Sequence, residues 1–463
     1  MTLAVLEPPQ TMVTPRPAPR RRLLLVAYCF PPVGGAGVQR PVKWVKYLQR
    51  SGWDVTVLTP SNPSVPVLDT SLLAEIPEDT QFIRPATWEP SYRVKHGLAA
   101  KASKTPTSWA APLRWAKGVA RAAAKACLQP DPQILWYPNA VQAATRVLRQ
   151  TPHDAILCTA PPYTSFLIGR TLKQRFGLPL VLDYRDEWDL SSQYLEHAHR
   201  DSLSQFIQER QQRMVLRAAD AVVATTQASV DRLGERLGAI GHQARQLCIY
   251  NGFDREDFES HGPTPTLAAP KDRFRLVYTG TLWNLTDISP VVAAMMELHA
   301  EAPELARRLE LVCVGRKTPE QQQLLARLEG TNCRLVNRDY CEHSEVLQWL
   351  ASADALCLLL SDVPGADRVV PAKLFEYLAA RRDLLAVTPR GETADIVERF
   401  HPRSRFAPQD VRGICAWLTE RLSGGAAPLD SSSDIDEFSR ERQTRRLVDL
   451  LASLTPAPAR GRD

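Results

Sequence analysis

The sequence predicts an α/β protein in which two doubly wound domains, each a parallel sheet covered by helices, face each other across a cleft. Three observations lead to this prediction. Short, continuous apolar runs, typical of strands buried on both faces, alternate with helical patterns along most of the chain. A Pro-rich passage at 261–272 breaks this alternation, and a new first strand follows it. Polar or glycine-rich residues end each apolar run, where open parallel sheets bind their ligands.

The strands are predicted from apolar runs that are too short for helices and bounded by turn residues. In chain order, the first domain contains "LLLVAYCF", "DVTVLT", "AILCT", "LPLVLDY", "AVVATT" and "LCIYN", and the second contains "FRLVYTG", "LELVCVG", "ALCLLL" and "DLLAV". Amphipathic stretches between them, such as "SFLIGRTLKQRF", "HSEVLQWLASA" and "KLFEYLAA", predict helices. A final stretch, "DIDEFSRERQTRRLVDLLASL", predicts a C-terminal helix.

These elements divide the chain into four parts. Residues 1–21 are rich in Pro and Arg, and we expect them to be disordered. A first Rossmann-like domain is predicted over 22–262 and a second over 271–430. The C-terminal helix, within 431–455, follows a Gly-, Ser- and Asp-rich stretch, and we expect it to pack back toward the first domain.

The composition is that of an ordinary globular protein. The chain has 463 residues, 44% hydrophobic and 23% charged, and a formal net charge of +6. No apolar run approaches the roughly 20 residues that a membrane-spanning helix needs. The N-terminal stretch lacks the basic start and long apolar core of a secretory signal. Nothing in the pattern indicates a nucleic-acid partner.

Nine cysteines are scattered along the chain, several of them inside predicted strands, with no C-x-x-C pair. This pattern argues against a zinc cage and against a disulfide framework. It is typical of a protein in a reducing compartment. We therefore expect a cytoplasmic protein, either free or at the inner face of the membrane.

The segment 93–125 is strongly basic and contains no acidic residue. Within "APLRWAKGVARAAAKACL", four of its cations fall at helical spacing along one stripe, with Trp109 and Leu113 near another. This pattern has two interpretations: a helix lying on an anionic membrane surface, or a solvated helix packed on its alanine face. The basic residues of the segment are Arg93, Lys95, Lys101, Lys104, Arg114, Lys117, Arg121 and Lys125.

The first strand leads through "FPPVGGAG" into an amphipathic helix, an order in which backbone amides often hold a phosphate. The dinucleotide fingerprint fails, because Arg40 occupies the third glycine position counted from Gly35 and Gly37. The second strand, which ends at Thr59, also lacks the acidic residue that binds a ribose. The triphosphate loop fails too, because Val38 follows Gly37 in place of lysine. The loop alone fits either a plain tight turn or an anion site.

In the second domain, "SDVPGADRVVPAKLFEYLAA" is the most informative segment. Pro371 is placed to open a helix, and Lys373 and Glu376 are neighbours on one face of that helix. A helix N-terminus with a lysine in its first turn suits a diphosphate, and the carboxylate can accept hydrogen bonds from ribose hydroxyls. The alternative is a surface ion pair between the two side chains.

Five motifs together resemble family 4 retaining glycosyltransferases, which have the two-domain GT-B fold. They are "PPVGGAGVQR", "APPYTSFLIGRTLKQRFGLPLVLDYRDEW", "IYNGFD", "YTGTL" and "VVPAKLFEYLAA". They occur in the family's order between Arg22 and about Leu451. The resemblance implies that the second domain binds a nucleotide-diphosphate sugar and that the first binds a saccharide or lipid-linked acceptor. It also implies transfer with retained anomeric configuration.

The resemblance carries specific residues over to this chain. The loop at Gly34, Gly35 and Gly37 corresponds to the one that approaches the donor's sugar and distal phosphate. Glu376 corresponds to the ribose-binding glutamate, and Lys373 to a neighbour of the diphosphate; both are also candidate catalytic residues. The remaining candidate donor-binding residues lie at strand ends of the second domain: Gly280, Thr281, Arg316, Arg368, Pro371, Ala372 and Leu374.

On the acceptor side, Arg185 and Asp186 of "YRDEW" are the candidate catalytic residues that face the transferring sugar. The implied mechanism is front-face, with the leaving phosphate helping to deprotonate the acceptor hydroxyl. We expect no bound cofactor and no metal, although Asp183 and Asp186 could be read as a metal pair. For His343 we expect a capping or surface position.

The chain departs from the family at the positions that bear charge. The family's first glutamate corresponds to Arg368, which cannot accept a hydrogen bond from a sugar. Thr281 and Thr286 stand where the family often has arginine and lysine. Two alternatives therefore remain open: a catalytically silent partner or scaffold protein of this fold, and a sugar-nucleotide epimerase.

Overall fold

The structure is a computed structural model that describes residues 20–92, 127–190, 202–259, 267–268, 270, 272–425 and 434–455. The basic segment 93–125, the N-terminal stretch up to residue 19 and most of the Pro-rich passage lie outside the described residues.

The first domain is built on a seven-stranded parallel sheet. Its strands are β1 (Arg21–Val26), β2 (Trp53–Leu58), β3 (Gln81–Ile83), β4 (Ala155–Ala160), β5 (Leu180–Tyr184), β6 (Ala221–Ala224) and β7 (Arg245–Cys248). The strand order is β3-β2-β1-β4-β5-β6-β7. β2 and β3 are added on one side of β1, and β4 to β7 on the other, so the strand order reverses between β1 and β4. Open parallel sheets bind their ligands at such a reversal point.

The helices of this domain are α1 (Ala36–Arg50), α2 (Tyr137–Gln150), α3 (Thr164–Phe176), α4 (Ser202–Leu216), α5 (Gln227–Ala239) and α6 (Arg255–Glu259), with 3-10 helices at Ser71–Glu75 and Pro132–Trp136. Local sequence fixes several of their ends. The side chain of Thr226 accepts a hydrogen bond from the Ser229 amide and so caps α5, while α3 stops at Gly177 in a left-handed conformation.

The second domain is built on a six-stranded parallel sheet. Its strands are β8 (Phe274–Thr279), β9 (Leu309–Val314), β10 (Arg334–Arg338), β11 (Ala355–Leu359), β12 (Asp383–Val387) and β13 (Arg405–Phe406). The strand order is β10-β9-β8-β11-β12-β13, so the reversal lies between β8 and β11.

The helices of the second domain are α7 (Ser289–Glu301), α8 (Pro303–Ala306), α9 (Pro319–Ala326), α10 (His343–Ala351), α11 (Lys373–Ala379), α12 (Glu392–Phe400) and α13 (Val411–Leu422). Two 3-10 helices lie at Ala366–Arg368 and Ile435–Phe438, and the last helix is α14 (Arg440–Leu454). None of the helices in the described ranges is both long and apolar enough to cross a membrane.

The two parallel sheets confirm the predicted fold class. Each of the apolar runs quoted above overlaps a strand of the structure. The sequence missed β3, β10 and β13, which lie at sheet edges and consist largely of exposed or half-buried residues. Edge strands are covered on fewer sides, so they carry no continuous apolar run for a sequence pattern to reveal.

The last helix, α14, packs on the first domain. Leu447, Leu450 and Leu451 belong to the hydrophobic core that also contains Leu23 of β1 and Val42 of α1. The side chain of Ser439 accepts a hydrogen bond from the Arg442 amide at the start of this helix. The chain therefore enters the second domain once and returns to the first.

Candidate active site

The carboxyl ends of the two sheets meet across a cleft, and side chains of the two domains contact each other on both flanks of it. On one flank, the Tyr340 hydroxyl, after β10, donates a hydrogen bond of 3.0 Å to Asp69, after β2. On the other flank, the Arg368 guanidinium, after β11, pairs with Glu187, after β5. The loops between these two contacts contain most of the candidate residues named from the sequence.

The glycine loop lies on the first-domain side of this cleft. Gly35 has a φ of 100° and precedes α1, whose first turn contains no acidic side chain. A Cβ added to Gly34 would lie 3.2 Å from the Tyr340 hydroxyl, so the second domain approaches this loop closely. The first backbone amides of a helix carry partial positive charge, and α1 begins next to the opposite domain.

Arg40 occupies the third glycine position for a structural reason. Its buried guanidinium pairs with the Asp183 carboxylate at 2.9 Å and donates to the carbonyls of Ile249 and Tyr250. Asp183 also accepts a 2.8 Å hydrogen bond from the Thr159 hydroxyl. Arg40 thus ties α1 to the end of β5, and Asp183 is engaged in that ion pair.

Arg185 and Asp186 lie directly after β5 and differ in their surroundings. The Arg185 guanidinium donates to the backbone carbonyls of Gly37, Ala160 and Pro161, so it fastens the glycine loop to the end of β4. A Cβ at position 37 would lie 2.6 Å from an Arg185 nitrogen, so glycine there leaves room for the guanidinium in this position. Asp186 is an exposed residue, and partial desolvation of its carboxyl, together with the nearby Asp183 charge, raises the pKa of that carboxyl.

Lys373 supplies an ammonium group at the reversal point of the second sheet. Its Nζ donates to the Tyr278 hydroxyl at 2.8 Å and lies 4.1 Å from the centre of that ring. A Cβ added to Gly280 would be 2.6 Å from Nζ. Burial lowers the pKa of Lys373 to about 7, because no carboxylate is hydrogen bonded to it among the described contacts.

Glu376 lies one turn further along α11 and is half-buried. Its charge acts on His343 and on Arg440, so it faces the region where α1, α10 and α14 meet. His343 joins the two domains there: Nδ1 lies 2.9 Å from Nε2 of Gln39, and Nε2 lies 3.3 Å from Asp257. Burial alone would lower the pKa of His343, but Asp257 and Glu376 raise it above its ordinary value.

The expectation of a capping or surface position for His343 is therefore wrong as to its surroundings. His343 does begin α10, but its ring is enclosed between the domains. No local sequence pattern predicts the contact between His343 and Gln39, because the two residues are 304 positions apart in the sequence. The only signal was that "VQR" directly follows the glycine loop.

Three acidic side chains near this point, Glu75, Asp254 and Asp257, converge closely enough to hold a metal ion. The space among them is taken by the buried Lys43 ammonium, which lies 2.7 Å from Asp254 and 2.8 Å from Asp257. Burial would raise the pKa of Asp254, but Lys43 and the nearby Lys46 hold it well below its ordinary value. This cluster is an ion-pair network that ties α1 to α6.

Two expectations for the donor helix need correction. Pro371 does not open the helix: α11 begins two residues later, and the Pro371 carbonyl accepts a 3.0 Å hydrogen bond from the Leu374 amide. The side chain of Leu374 lies in the hydrophobic core. The amide and the side chain of Leu374 are therefore both engaged within the second domain, and neither is free to bind a donor. Pro371 and Ala372 remain half-buried at the turn that precedes the helix.

Arg368 also departs from its expected role in donor binding. Its guanidinium forms two hydrogen bonds with the Glu187 carboxylate, of 2.9 and 3.2 Å, so its charge is already paired across the cleft. Thr281 is exposed, and its carbonyl accepts hydrogen bonds from the hydroxyls of Tyr278 and Thr286. Arg316, at the end of β9, has an exposed side chain. The structure thus brings Lys373 and Gly280 together directly, and it leaves Arg316 as a further cation at the same sheet edge.

Comparison with known proteins gives the same fold. Residues 34–252 match the sequence model of the family described as "Glycosyl transferase 4-like domain". No curated protein sequence matches the chain. Sucrose-phosphate synthase from Thermosynechococcus elongatus superposes with a TM-score of 0.61 at 16% identity, over 94% of this chain and 99% of that one.

Two further solved structures are similar to the same extent. HepE of Anabaena in complex with UDP-glucose has a TM-score of 0.60 and 14% identity, covering 93% of this chain and 99% of HepE. An α,α-trehalose-phosphate synthase from Burkholderia xenovorans, in complex with glucose-6-phosphate, has a TM-score of 0.59 and 13% identity, over 93% and 99% of the two chains. The domain match at residues 34–252 agrees with the resemblance seen in the sequence, and these structures show that the chain has the two-domain GT-B fold of known glycosyltransferases.

Proposed function

We propose that the chain is a retaining hexosyltransferase that moves a sugar from a nucleotide-diphosphate donor to a saccharide or lipid-linked acceptor in glycan biosynthesis. The observation that carries the proposal is Lys373. Lys373 is half-buried at the sheet reversal point, and its ammonium group has no hydrogen-bonded carboxylate among its described contacts and lies next to a glycine that leaves room for it. Desolvation penalises this charge, and a diphosphate at the same place would compensate it.

The rest of the donor site is assigned around that lysine. The first amides of α1 and the open face of Gly35 suit the distal phosphate and the sugar, and Glu376 suits the ribose hydroxyls. Exposed Arg316 adds a cation at the end of β9. HepE was solved with UDP-glucose and with UDP, so uridine nucleotides are the first donors to test.

In the proposed front-face reaction, negative charge develops on the departing phosphate. Lys373, Arg316 and the amides at the start of α1 would stabilise that charge. The leaving phosphate accepts the proton of the acceptor hydroxyl, and we assign Asp186, whose carboxyl has a raised pKa, to the acceptor side. Arg185 acts by holding the glycine loop, since its donors are engaged with backbone carbonyls. The proposal uses no metal and no bound cofactor.

For the location we propose the cytoplasm, with contact to an anionic membrane through 93–125. The support is the absence of acidic residues in that segment and its stripe of cations. A membrane contact would bring a lipid-linked acceptor to the first domain. The saccharide acceptor is the alternative, and the trehalose-phosphate synthase solved with glucose-6-phosphate makes a sugar phosphate the first soluble acceptor to test.

A catalytically silent GT-B protein is the second candidate. Arg368 stands in place of the family's first glutamate, and Thr281 and Thr286 stand in place of its usual arginine and lysine. One experiment separates the two. Purified protein is screened by thermal shift against nucleoside diphosphates, and then incubated with the matching sugar nucleotides, with and without acceptors. Acceptor-dependent release of nucleotide with a retained anomer supports transfer. Nucleotide binding without any sugar release supports the silent protein, and a converted sugar nucleotide without acceptor identifies an epimerase.

A further inference from the structure

A short turn of the second domain docks onto the first domain on one flank of the cleft. The turn is the 3-10 helix Ala366–Arg368, preceded by Gly365. A Cβ on Gly365 would lie 2.4 Å from a methyl carbon of the Leu190 side chain, so Leu190 of the first domain packs directly on this glycine. The Arg368 carbonyl accepts a 3.0 Å hydrogen bond from the Thr226 hydroxyl. The turn is thus held by its main chain as well as by its side chain.

The centre of this contact is the ion pair between Arg368 and Glu187. Two parallel hydrogen bonds join them, and the Glu187 side chain is only 7% exposed. The other partner of Glu187 is the Ser229 hydroxyl, 2.8 Å away on α5. Bidentate pairing of this kind fixes geometry as well as charge. The Glu187 carboxylate thus bonds to Arg368 across the cleft and is oriented by Ser229 within its own domain.

A second carboxylate reinforces the same flank from the opposite domain. Glu392, at the start of α12, accepts hydrogen bonds from the amides of Gln227 and Ala228 at the start of α5, at 2.9 and 3.0 Å. It also accepts one from the Tyr250 hydroxyl at 2.6 Å. These bonds place α5 of the first domain against the turn that carries Arg368.

The pair connects the two halves of the candidate site. Glu187 immediately follows Arg185 and Asp186 on the acceptor side, and Arg368 lies five residues before Lys373 on the donor side. A glutamate at position 368, as in the family pattern, would face the buried Glu187 carboxylate, and the two like charges would repel each other. The arginine is therefore matched to Glu187 in this chain.

We propose that Glu187 and Arg368 are a pair of positioning residues that holds the cleft closed and sets the distance between Asp186 and Lys373. The kinetic part of this inference rests on the proposed function, whereas the structural part does not. In this chain the position of the first glutamate thus serves domain closure, and binding of the donor relies on Lys373, Glu376 and the glycine loop.

The test compares the wild-type protein with E187Q, R368M and the charge-exchanged variant E187R/R368E. Loss of Arg368 leaves the Glu187 carboxylate buried without its charged partner, and loss of the Glu187 charge removes the bidentate pairing across the cleft, so we expect the cleft to open in both variants. Small-angle X-ray scattering should then show a larger radius of gyration for E187Q and R368M, and a value near that of the wild type for E187R/R368E. In transfer assays, E187Q and R368M should lower kcat between about tenfold and about a hundredfold, since misplaced groups cost rate rather than affinity. The charge-exchanged variant E187R/R368E should recover most of the lost kcat.

The Kd for UDP, measured by calorimetry, should stay unchanged in E187Q and R368M, which separates positioning from donor binding. An exchange of the exposed pair Arg232 and Glu235 on α5 is the matched control and should change none of these quantities. Wild-type scattering for E187Q and R368M, an unchanged kcat, or an exchange that restores neither quantity would overturn the proposal. If no donor and acceptor support transfer even in the wild type, the proposed function fails, and the scattering data alone decide the role of the pair.

Discussion

The Lys373 ammonium occupies the space that any side chain at position 280 would need. A Cβ added to Gly280 would be 2.6 Å from Nζ of Lys373, and the backbone of Gly280 has a φ of 115°. Glycine at position 280 therefore suits the positive φ of this loop and leaves the Lys373 ammonium in its present place. A charged group placed in this way, between two loops at the reversal point of a sheet, is available to a ligand from the cleft.

We expect Gly280→Ala to displace the ammonium and to weaken UDP binding by about tenfold or more, because a charge-assisted hydrogen bond contributes about 1.5–3 kcal/mol. Calorimetric titration with UDP measures this change. Gly330→Ala is the control: Gly330 also has a positive φ, but a Cβ there would meet nothing within 4 Å. If both variants bind UDP as the wild type does, Lys373 does not hold the diphosphate.

The lowered pKa of Lys373 predicts a specific pH dependence. With a pKa of about 7, the amine is charged below that pH and loses its proton as the pH rises through it. Each mole of UDP bound should therefore be accompanied by proton uptake near and above pH 7, because the diphosphate favours the ammonium form. Calorimetry in buffers of different ionisation enthalpy measures the uptake. Lys373→Met should abolish it, whereas equal uptake in both proteins would show that another group takes up the proton.

Glu376→Ala should remove a carboxylate that accepts hydrogen bonds from the donor, while leaving the fold intact since the side chain is half-buried. We expect transfer to become undetectable and UDP affinity to fall by about tenfold to a hundredfold, the value of one or two charged hydrogen bonds. Thermal unfolding controls for stability. Glu398→Ala, on the exposed face of α12, is the matched variant and should keep full activity. Full activity in Glu376→Ala would refute the assignment.

The buried strands of this fold could be predicted from the sequence, because a parallel strand that is buried on both faces consists of a continuous run of apolar residues. β4 and β9 are examples, since every residue of both strands is buried. β10 could not be predicted in the same way, since all of its residues are exposed or half-buried. Helix starts were displaced by a residue or two, as with α11, because a tight turn and a helix begin with similar backbone angles.

The candidate site was predictable only where one residue type performs the task locally. Glycines at strand ends and the Lys373–Glu376 spacing are local signals. Contacts between domains are not: Arg368 was read as a missing glutamate, and nothing near it in the sequence points to Glu187, its partner in the other domain. Such pairings depend on how two folded units meet.

The basic segment 93–125 predicts salt-sensitive binding to anionic vesicles, since its cations carry no acidic neighbours. Co-sedimentation with phosphatidylglycerol vesicles should decrease as salt is raised from low to physiological concentration. A variant with Lys117→Glu and Arg121→Glu should bind more weakly. Equal binding to neutral phosphatidylcholine vesicles would contradict the electrostatic interpretation, and the segment would then be a solvated helix.

The buried pair of Arg40 and Asp183 predicts a large effect on stability. Arg40→Met leaves the Asp183 carboxylate buried with only the Thr159 hydroxyl among the partners described above, so we expect the free energy of unfolding to fall by about 3–5 kcal/mol. The double variant Arg40→Met with Asp183→Asn should lose less, because the uncompensated charge is gone. Urea denaturation of both proteins, followed by circular dichroism, measures the difference. The double variant lacks the ion pair between α1 and β5 but keeps side chains of similar size, so it separates the contribution of charge from that of packing. If the single and double variants are equally destabilised, the cost arises from lost packing of the Arg40 side chain and not from an unpaired carboxylate.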